Sequence, residues 1–263
     1  MITNELVVIM ATNKVNDWLD QAVNSCLDAD GEPSLCLVLD GISTPINKQW
    51  VTNPRVKIIE ISSSSGLANA LTVGINSTSH EFISRLDSDD VANPRRFIEQ
   101  YNYLRKHSKI GIVGSLARKI DKDGNLENLL PAPKKNERLA NQLLKRNVFV
   151  HSSVTFRRKN YLQSGGYDNN LKTMEDYDLW LRMLTNCNGS IIPKELVLYR
   201  IHQNQMSRGA KPWGVHIKKI RSSRFALSQK LKISRLAVTF FQYQWEISQL
   251  LRFYGLKKPR NQF

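Results

Sequence analysis

The chain has 263 residues, 41% of them hydrophobic, which is enough for one sizeable folded domain with a smaller appendage and excludes a disordered chain. Its formal charge of +15 is uneven: from Lys211 onward twelve Lys or Arg stand against one acid, Glu246, so residues 211–263 carry +11 and residues 1–210 only +4. The three cysteines, Cys26, Cys36 and Cys187, form no CxxC pair, which argues against a zinc site or a disulfide framework and for buried thiols in a reducing compartment.

Met1 to Glu5 lack the basic start and apolar core of a secretory leader, and no apolar run reaches the roughly 18 residues of a membrane-spanning helix, so a cytoplasmic protein is expected. Leu6 to Met10 is a β-branched apolar strand. Asn16-Asp17 then caps a helix with Leu19, Ala22, Val23, Cys26 and Leu27 on one face. Leu35 to Leu39, ending in Asp40-Gly41, and Val56 to Ile61 read as buried strands, and Gly66 to Ile75 as a helix with small residues for close packing. The apolar run through Phe82 and Ile83 is a further strand that stops at Asp87-Ser88-Asp89-Asp90.

Pro94 to Lys106 reads as a helix, Ile110 to Gly114 as a strand, Asp121 to Asn125 as a hairpin turn, Asn136 to Arg146 as a helix and Ser153 to Arg157 as a strand. After a turn at Gly165-Gly166, Glu175, Asp176 and Asp178 mark a helix beginning near Asp176, with Asp178 and Arg182 spaced to pair on its surface. Val197 to His202 is the last strand. From Trp213 the pattern is helical, and Leu236, Phe240, Tyr243, Ile247, Leu250 and Tyr254 recur at steps of three or four up to a stop at Gly255.

Strands alternating with helices across short links predict an α/β fold with a mostly parallel central sheet, whose ligands bind beyond the carboxyl ends of the strands. Asp40 and the Asp87-Asp89-Asp90 cluster both fall there. Closely spaced carboxylates at a strand end make a hard site for Mg²⁺ or Mn²⁺, although Asp and Ser before Asn93-Pro94 also read as a turn and helix start. No GxGxxG follows the first strand, which argues against a dinucleotide fold of the usual kind.

The order of motifs resembles the family-2 glycosyltransferases, which use the GT-A fold. The likeness runs from about residue 6 to 207 and rests on Val7 to Met10 with Asn13, Leu39 to Thr44, Gly66 to Leu71, Ser84 to Asp90, His151 to Arg157, Gly165 to Tyr167, Glu175 to Trp180, and Tyr199 to His202. It is similar to bacterial enzymes that build O-antigen and related surface glycans, among them β-1,3-galactosyltransferases acting on lipid-linked acceptors. The resemblance implies a metal-dependent inverting transfer of a hexose, galactose or a related sugar, from a UDP-sugar to a glycan or lipid-linked oligosaccharide acceptor. It puts Thr12, Asn13 and Asp40 near the base, with Gly66, Arg85 and Ser88 also on the nucleotide-sugar side, although many members carry two adjacent acids where this chain has Leu39-Asp40. Asp87 faces the ribose, Asp89 and His202 hold Mn²⁺ or Mg²⁺, and Asp90 is a lesser candidate.

The same resemblance makes Asp176 the base that takes the acceptor proton, with Glu175 beside it to raise its pKa. Each residue has a plainer reading as well. Glu175, Asp176 and Asp178 also complement a helix N-terminus, His202 also suits a structural role, Arg200 contacts phosphate or covers the sheet, and His151 approaches the acceptor or caps the core.

The catalytic domain is expected over residues 1–210. Residues 211–263 form a basic amphipathic helical extension that lies on an anionic membrane, at the inner face of the cytoplasmic membrane, or packs on the domain or on a second subunit as a homodimer. A sugar-1-phosphate nucleotidyltransferase is the rival enzyme, but Ala11 to Lys14 offer no Gly-rich phosphate loop. Nucleic-acid binding through the tail is the rival from another class.

Overall fold

A computed structural model describes residues 1–256 apart from 44–45, 135–136, 204 and 206–210; the readings at Thr44, Asn136 and residue 207 lie outside the described residues. β1 (Leu6–Thr12), β2 (Ser34–Asp40), β3 (Val56–Ile61) and β4 (Phe82–Arg85) pair in parallel in the order β3-β2-β1-β4. β8 (Thr155–Arg157) then joins β4 to β6 (Ile110–Ile120), antiparallel to both. β9 (Asn188–Arg200) runs parallel to β6, β5 (Val91–Ala92) closes the edge on β9, and β7 (Leu126–Leu129) pairs β6 through the expected hairpin. The sheet is therefore mostly parallel, with an antiparallel insertion at β8 that the sequence pattern does not announce.

Helices cover both faces because the strands carry apolar side chains on both. One layer packs α2 (Leu67–Asn76) and the later helices against Val7, Ile9 and Ile83; the other packs α1 (Asp17–Leu27) and α3 (Arg96–Lys106) against Leu6, Val8 and Met10. Asn16 caps α1 as its sequence foretells, its side-chain oxygen accepting the Leu19 N–H at 3.0 Å. α4 (Leu139–Lys145) is shorter than the pattern implies, α5 (Arg158–Gln163) is unannounced, and α6 (Glu175–Asn186) begins at the expected acids.

The Asp178 and Arg182 pair forms, with Arg182 Nε donating to Asp178 Oδ2 at 2.8 Å, but it is not on the surface. Asp178 is fully buried because α7 (Val215–Lys230) covers this side of α6, and Ser223 Oγ donates to its other oxygen at 2.6 Å. α8 (Arg235–Phe253) follows, so the described part of the extension is two helices. Its Val238, Gln242 and Trp245 are buried against the domain, and the chain turns at Gly255 with φ 70°. No described helix is long and apolar enough to cross a membrane.

Candidate active site

The carboxyl ends of β1, β2 and β4 open into one cavity of about 1060 Å³, whose far wall is the N-terminus of α6 and the inner face of α8. Thr12, Asn13, Asp40, Gly66, Asp87, Ser88, Asp89, His151, Glu175, Asp176 and His202 all line it, although they come from positions as far apart as 12 and 202. A strand fixes where its last side chain points, which is why the parallel half of the sheet delivers three of these groups to one edge.

On the nucleotide side Thr12 Oγ1 donates to the Lys14 carbonyl at 2.7 Å and accepts the Lys14 N–H at 3.1 Å, pinning the loop that presents Asn13. Asp40 is 5% exposed and holds the loop before α2: one oxygen accepts Ser65 N–H and Oγ–H at 2.7 and 2.8 Å, the other Gly66 N–H at 3.1 Å and Ser64 Oγ–H at 3.3 Å. Gly66 sits at φ 88°, a left-handed conformation that favours glycine, and this turns the chain into α2.

Asp87 accepts from Ser152 Oγ at 2.8 Å while its own N–H donates to the same oxygen at 2.9 Å. Burial raises its pKa, but the paired Arg85 guanidinium outweighs this, with the Ser152 hydrogen bond helping, and the carboxyl stays below the usual range. Arg85 itself is completely buried, donating to the Ile9 and Leu86 carbonyls, to Asp87 and to His151 Nε2. It is therefore not among the cavity-lining groups: it braces the motif from behind.

Asp90 and Arg200 are also behind the wall. One Asp90 oxygen accepts the Arg200 N–H at 2.8 Å and the other is buried without a partner. Burial, then the charges of Asp89 and Asp87, push its pKa well up, and with its carboxyl behind the wall it is a poor ion ligand as placed. Arg200 spends its guanidinium on Gln21 and on the carbonyls of Asp89, Asp121 and Lys122, which favours the structural reading of that residue.

Asp89 and His202 meet at the cavity wall, with Nε2 2.8 Å from Oδ2. That is close to the edge of an octahedron whose bonds are ~2.0–2.1 Å, and His202 Nδ1 is buried without a partner. The pair suits Mn²⁺ or Mg²⁺, ions that complete their shells with water and substrate phosphate. Among the described residues no group of three or more His, Cys, Asp or Glu stands ready to hold an ion.

Opposite stands Asp176. Its Oδ2 accepts from Asn147 Nδ2 at 2.9 Å and its Oδ1 from the Tyr177 N–H at 2.6 Å. Burial raises its pKa to about 6 against the lowering effect of those two donors. Burial and the Asp176 charge push Glu175 to about 8, so at neutral pH Glu175 holds its proton and Asp176 does not. Met174 before them has φ 61°, a left-handed strain concentrated at the point that aims both acids. His151 accepts from Tyr167 O–H at 2.8 Å and Arg85 Nε–H at 3.3 Å through Nε2. Burial, then the Arg85 charge, bring it down to about 3, so it is a neutral imidazole whose Nδ1 carries the hydrogen.

Several lining residues escape the sequence reading. Trp18 lies against His202 with the rings tilted by 38° and their centroids 4.8 Å apart, and its signal is an aromatic off the apolar stripe of α1. Asn147 and Lys172, and Gln249 and Arg252 of the extension, have no local motif to betray them, and Tyr177, Trp245 and Phe253 read only as members of a motif or an apolar stripe.

Such a sheet, with an Asp-Ser-Asp edge and a carboxylate facing it across one cavity, defines a GT-A type glycosyltransferase. The chain belongs to glycosyl transferase family 2, whose pattern matches residues 6–166. It is similar to the amylovoran biosynthesis glycosyltransferase AmsE of Erwinia amylovora, 30% identical over 68% of this chain and 69% of that protein. The O-antigen biosynthesis glycosyltransferase WbnJ of Escherichia coli is 29% identical over 80% and 84%. A UDP-Gal:alpha-D-GlcNAc-diphosphoundecaprenol beta-1,3-galactosyltransferase of Escherichia coli is 26% identical over 73% and 71%. In fold the chain is similar to S. aureus TarS 1–349 in complex with UDP-GlcNAc, at TM-score 0.71 and 13% identity over 95% of this chain and 73% of that one.

Proposed function

We propose that the chain is a metal-dependent, inverting hexosyltransferase that moves galactose or a related sugar from a UDP-sugar to a lipid-linked glycan acceptor in bacterial surface polysaccharide synthesis. The observation that carries this reading is that one cavity holds Asp87, Asp89 and His202 on one side and Asp176 on the other. The relatives named for amylovoran, O-antigen and galactosyl transfer support the class of product, and a fold relative that takes UDP-GlcNAc supports the donor.

Thr12, Asn13 and Asp40 surround the base and Asp87 the ribose, while Ser88 and Gly66 lie along the donor. Asp89 and His202 would hold the cation, which when bound neutralises charge on the leaving diphosphate. The acceptor hydroxyl oxygen attacks the anomeric carbon from the face opposite the diphosphate, the bond to the β-phosphate oxygen breaks with its electron pair going to UDP, and the hydroxyl proton passes to Asp176. A pKa of about 6 suits that task, since the carboxylate is ionised at neutral pH yet basic enough to accept. Protonated Glu175 beside it donates to substrate oxygen and adds no second charge. Cys26, Cys36 and Cys187 are free thiols, which fits the cytoplasm.

A thermal-shift panel of UDP-, GDP-, CMP- and dTDP-sugars, each with and without Mn²⁺, tests the donor and metal together. Stabilisation by UDP-sugars alone, enhanced by Mn²⁺, is expected; a preference for another base, or indifference to the ion, overturns that part.

A further inference from the structure

α8 has two faces of different chemistry. The inner one buries Val238, Gln242 and Trp245 and contributes Trp245, Gln249, Arg252 and Phe253 to the cavity wall. The outer one presents Leu236, Phe240, Tyr243, Ile247, Leu250 and Tyr254, between 39% and 84% exposed, at steps of four and three over five helical turns. A soluble helix that packs on its domain turns polar residues outward, and here the other exposed positions among them are Thr239, Gln244 and Phe253, none of them charged. Ten of the fifteen large hydrophobics exposed among the described residues lie between Trp213 and Leu256, a concentration that marks a contact surface.

The charge of the extension that carries that face selects its occupant. Lys230, Lys232 and Arg235 are exposed at the start of α8, Lys211, Lys218 and Arg221 are exposed on or before α7, and the lone acid Glu246 is already paired with Arg221 at 2.7 Å. A second copy of the chain on this face would bring two extensions of +11 together, with Glu246, already held by Arg221, the lone acid beside the stripe to set a register. An anionic lipid surface complements the same charges and accepts the aromatic and aliphatic side chains at its headgroup level.

We propose that the outer face of α8 docks the protein on an anionic bilayer, lying in the interface plane with Phe240, Tyr243, Ile247 and Leu250 inserted. Because the opposite face of the same helix walls the cavity, this docking holds the cavity beside the headgroups, where the diphosphate end of a lipid-linked acceptor would enter. That use of the surface rests on the transferase reading above; the docking itself is measured without turnover, so the two can fail separately.

The test is co-sedimentation of the full chain with phosphatidylglycerol-rich and with pure phosphatidylcholine vesicles, alongside Phe240→Ser/Ile247→Ser and Lys230→Glu/Lys232→Glu. All four positions are outside the cavity lining and unchanged melting curves check the fold. Binding to the anionic vesicles should exceed that to phosphatidylcholine about tenfold, drop about tenfold in each double variant, and weaken with salt only through its electrostatic part. Failure to bind anionic vesicles, or equal binding by the Phe240→Ser/Ile247→Ser protein, overturns the proposal. So does a dimer in analytical ultracentrifugation that the same variant converts to monomer, which would assign the face to a second copy.

Discussion

His202 Nε2 lies 2.8 Å from Asp89 Oδ2, joining the end of the last strand to the carboxylate motif 113 residues earlier. If these two hold the ion, Asp89→Ala and His202→Ala should each abolish most of the extra stabilisation that Mn²⁺ gives to UDP binding. Losing one of two protein ligands leaves mainly the diphosphate to retain the ion, so affinity for Mn²⁺ should fall about 10–100-fold by isothermal titration. Asp90→Asn, by contrast, should leave ion binding within about threefold, because that side chain is buried behind the wall and accepts the Arg200 N–H.

Glu175 and Asp176 make the unliganded protein less stable as pH rises. Their folded pKa values, about 8 and about 6, are above the ordinary 4.5 and 3.8, so between those limits the folded chain binds more protons than the unfolded one. Unfolding free energy therefore falls as pH climbs from about 5 to 8. Glu175→Gln should remove most of that slope and stabilise the protein at pH 8 by on the order of 1–3 kcal/mol. Denaturant melts at pH 5.5 and 8 check both points; a wild-type slope of the opposite sign would show that the two acids are not held in this state.

Arg224 ties the extension to the catalytic helix. It is completely buried, donates to the Tyr177 hydroxyl at 2.7 and 3.0 Å and to Gln242 at 2.8 Å, and lies 4.4 Å from the centre of the Trp245 ring. Arg224→Ala should cost about 2–4 kcal/mol in urea unfolding, from lost packing and from acceptors left buried. Arg224→Lys should restore little, since an ammonium cannot fork between Tyr177 and Gln242. The cavity side of Trp245 should move with it, so that KM for the acceptor rises more than KM for the donor.

The parts of this protein legible in sequence are those with a period or a cap. The four parallel strands, the Asn16 cap, the acids opening α6 and the stop at Gly255 all follow from local chemistry. β8 forms inside the strand read at Ser153 to Arg157, but its antiparallel pairing to β4 and β6 is decided by residues far away, so no local pattern announces that placement. The residues that meet at the cavity were legible as a set through resemblance, yet their orientation was not. Arg85 reads as a nucleotide-sugar contact and Arg200 as a phosphate contact or a cover for the sheet, and both are buried braces, because the carbonyls, with Asp87 for Arg85 and the Gln21 amide for Arg200, satisfy a guanidinium inside. The extension left two readings open, and the packing one is realised by the inner face of α8 while its outer stripe remains exposed.

The central claim is that Asp176 takes the acceptor proton, and the most direct measurement is single-turnover sugar transfer by Asp176→Asn over pH 5 to 8, with UDP-sugar affinity measured in parallel. Donor affinity within about threefold of wild type, a transfer rate lower by about 10²–10⁴, and loss of the wild-type rise through pH 6 are the predicted results. Near-normal transfer by Asp176→Asn with the same pH dependence as wild type would contradict the account.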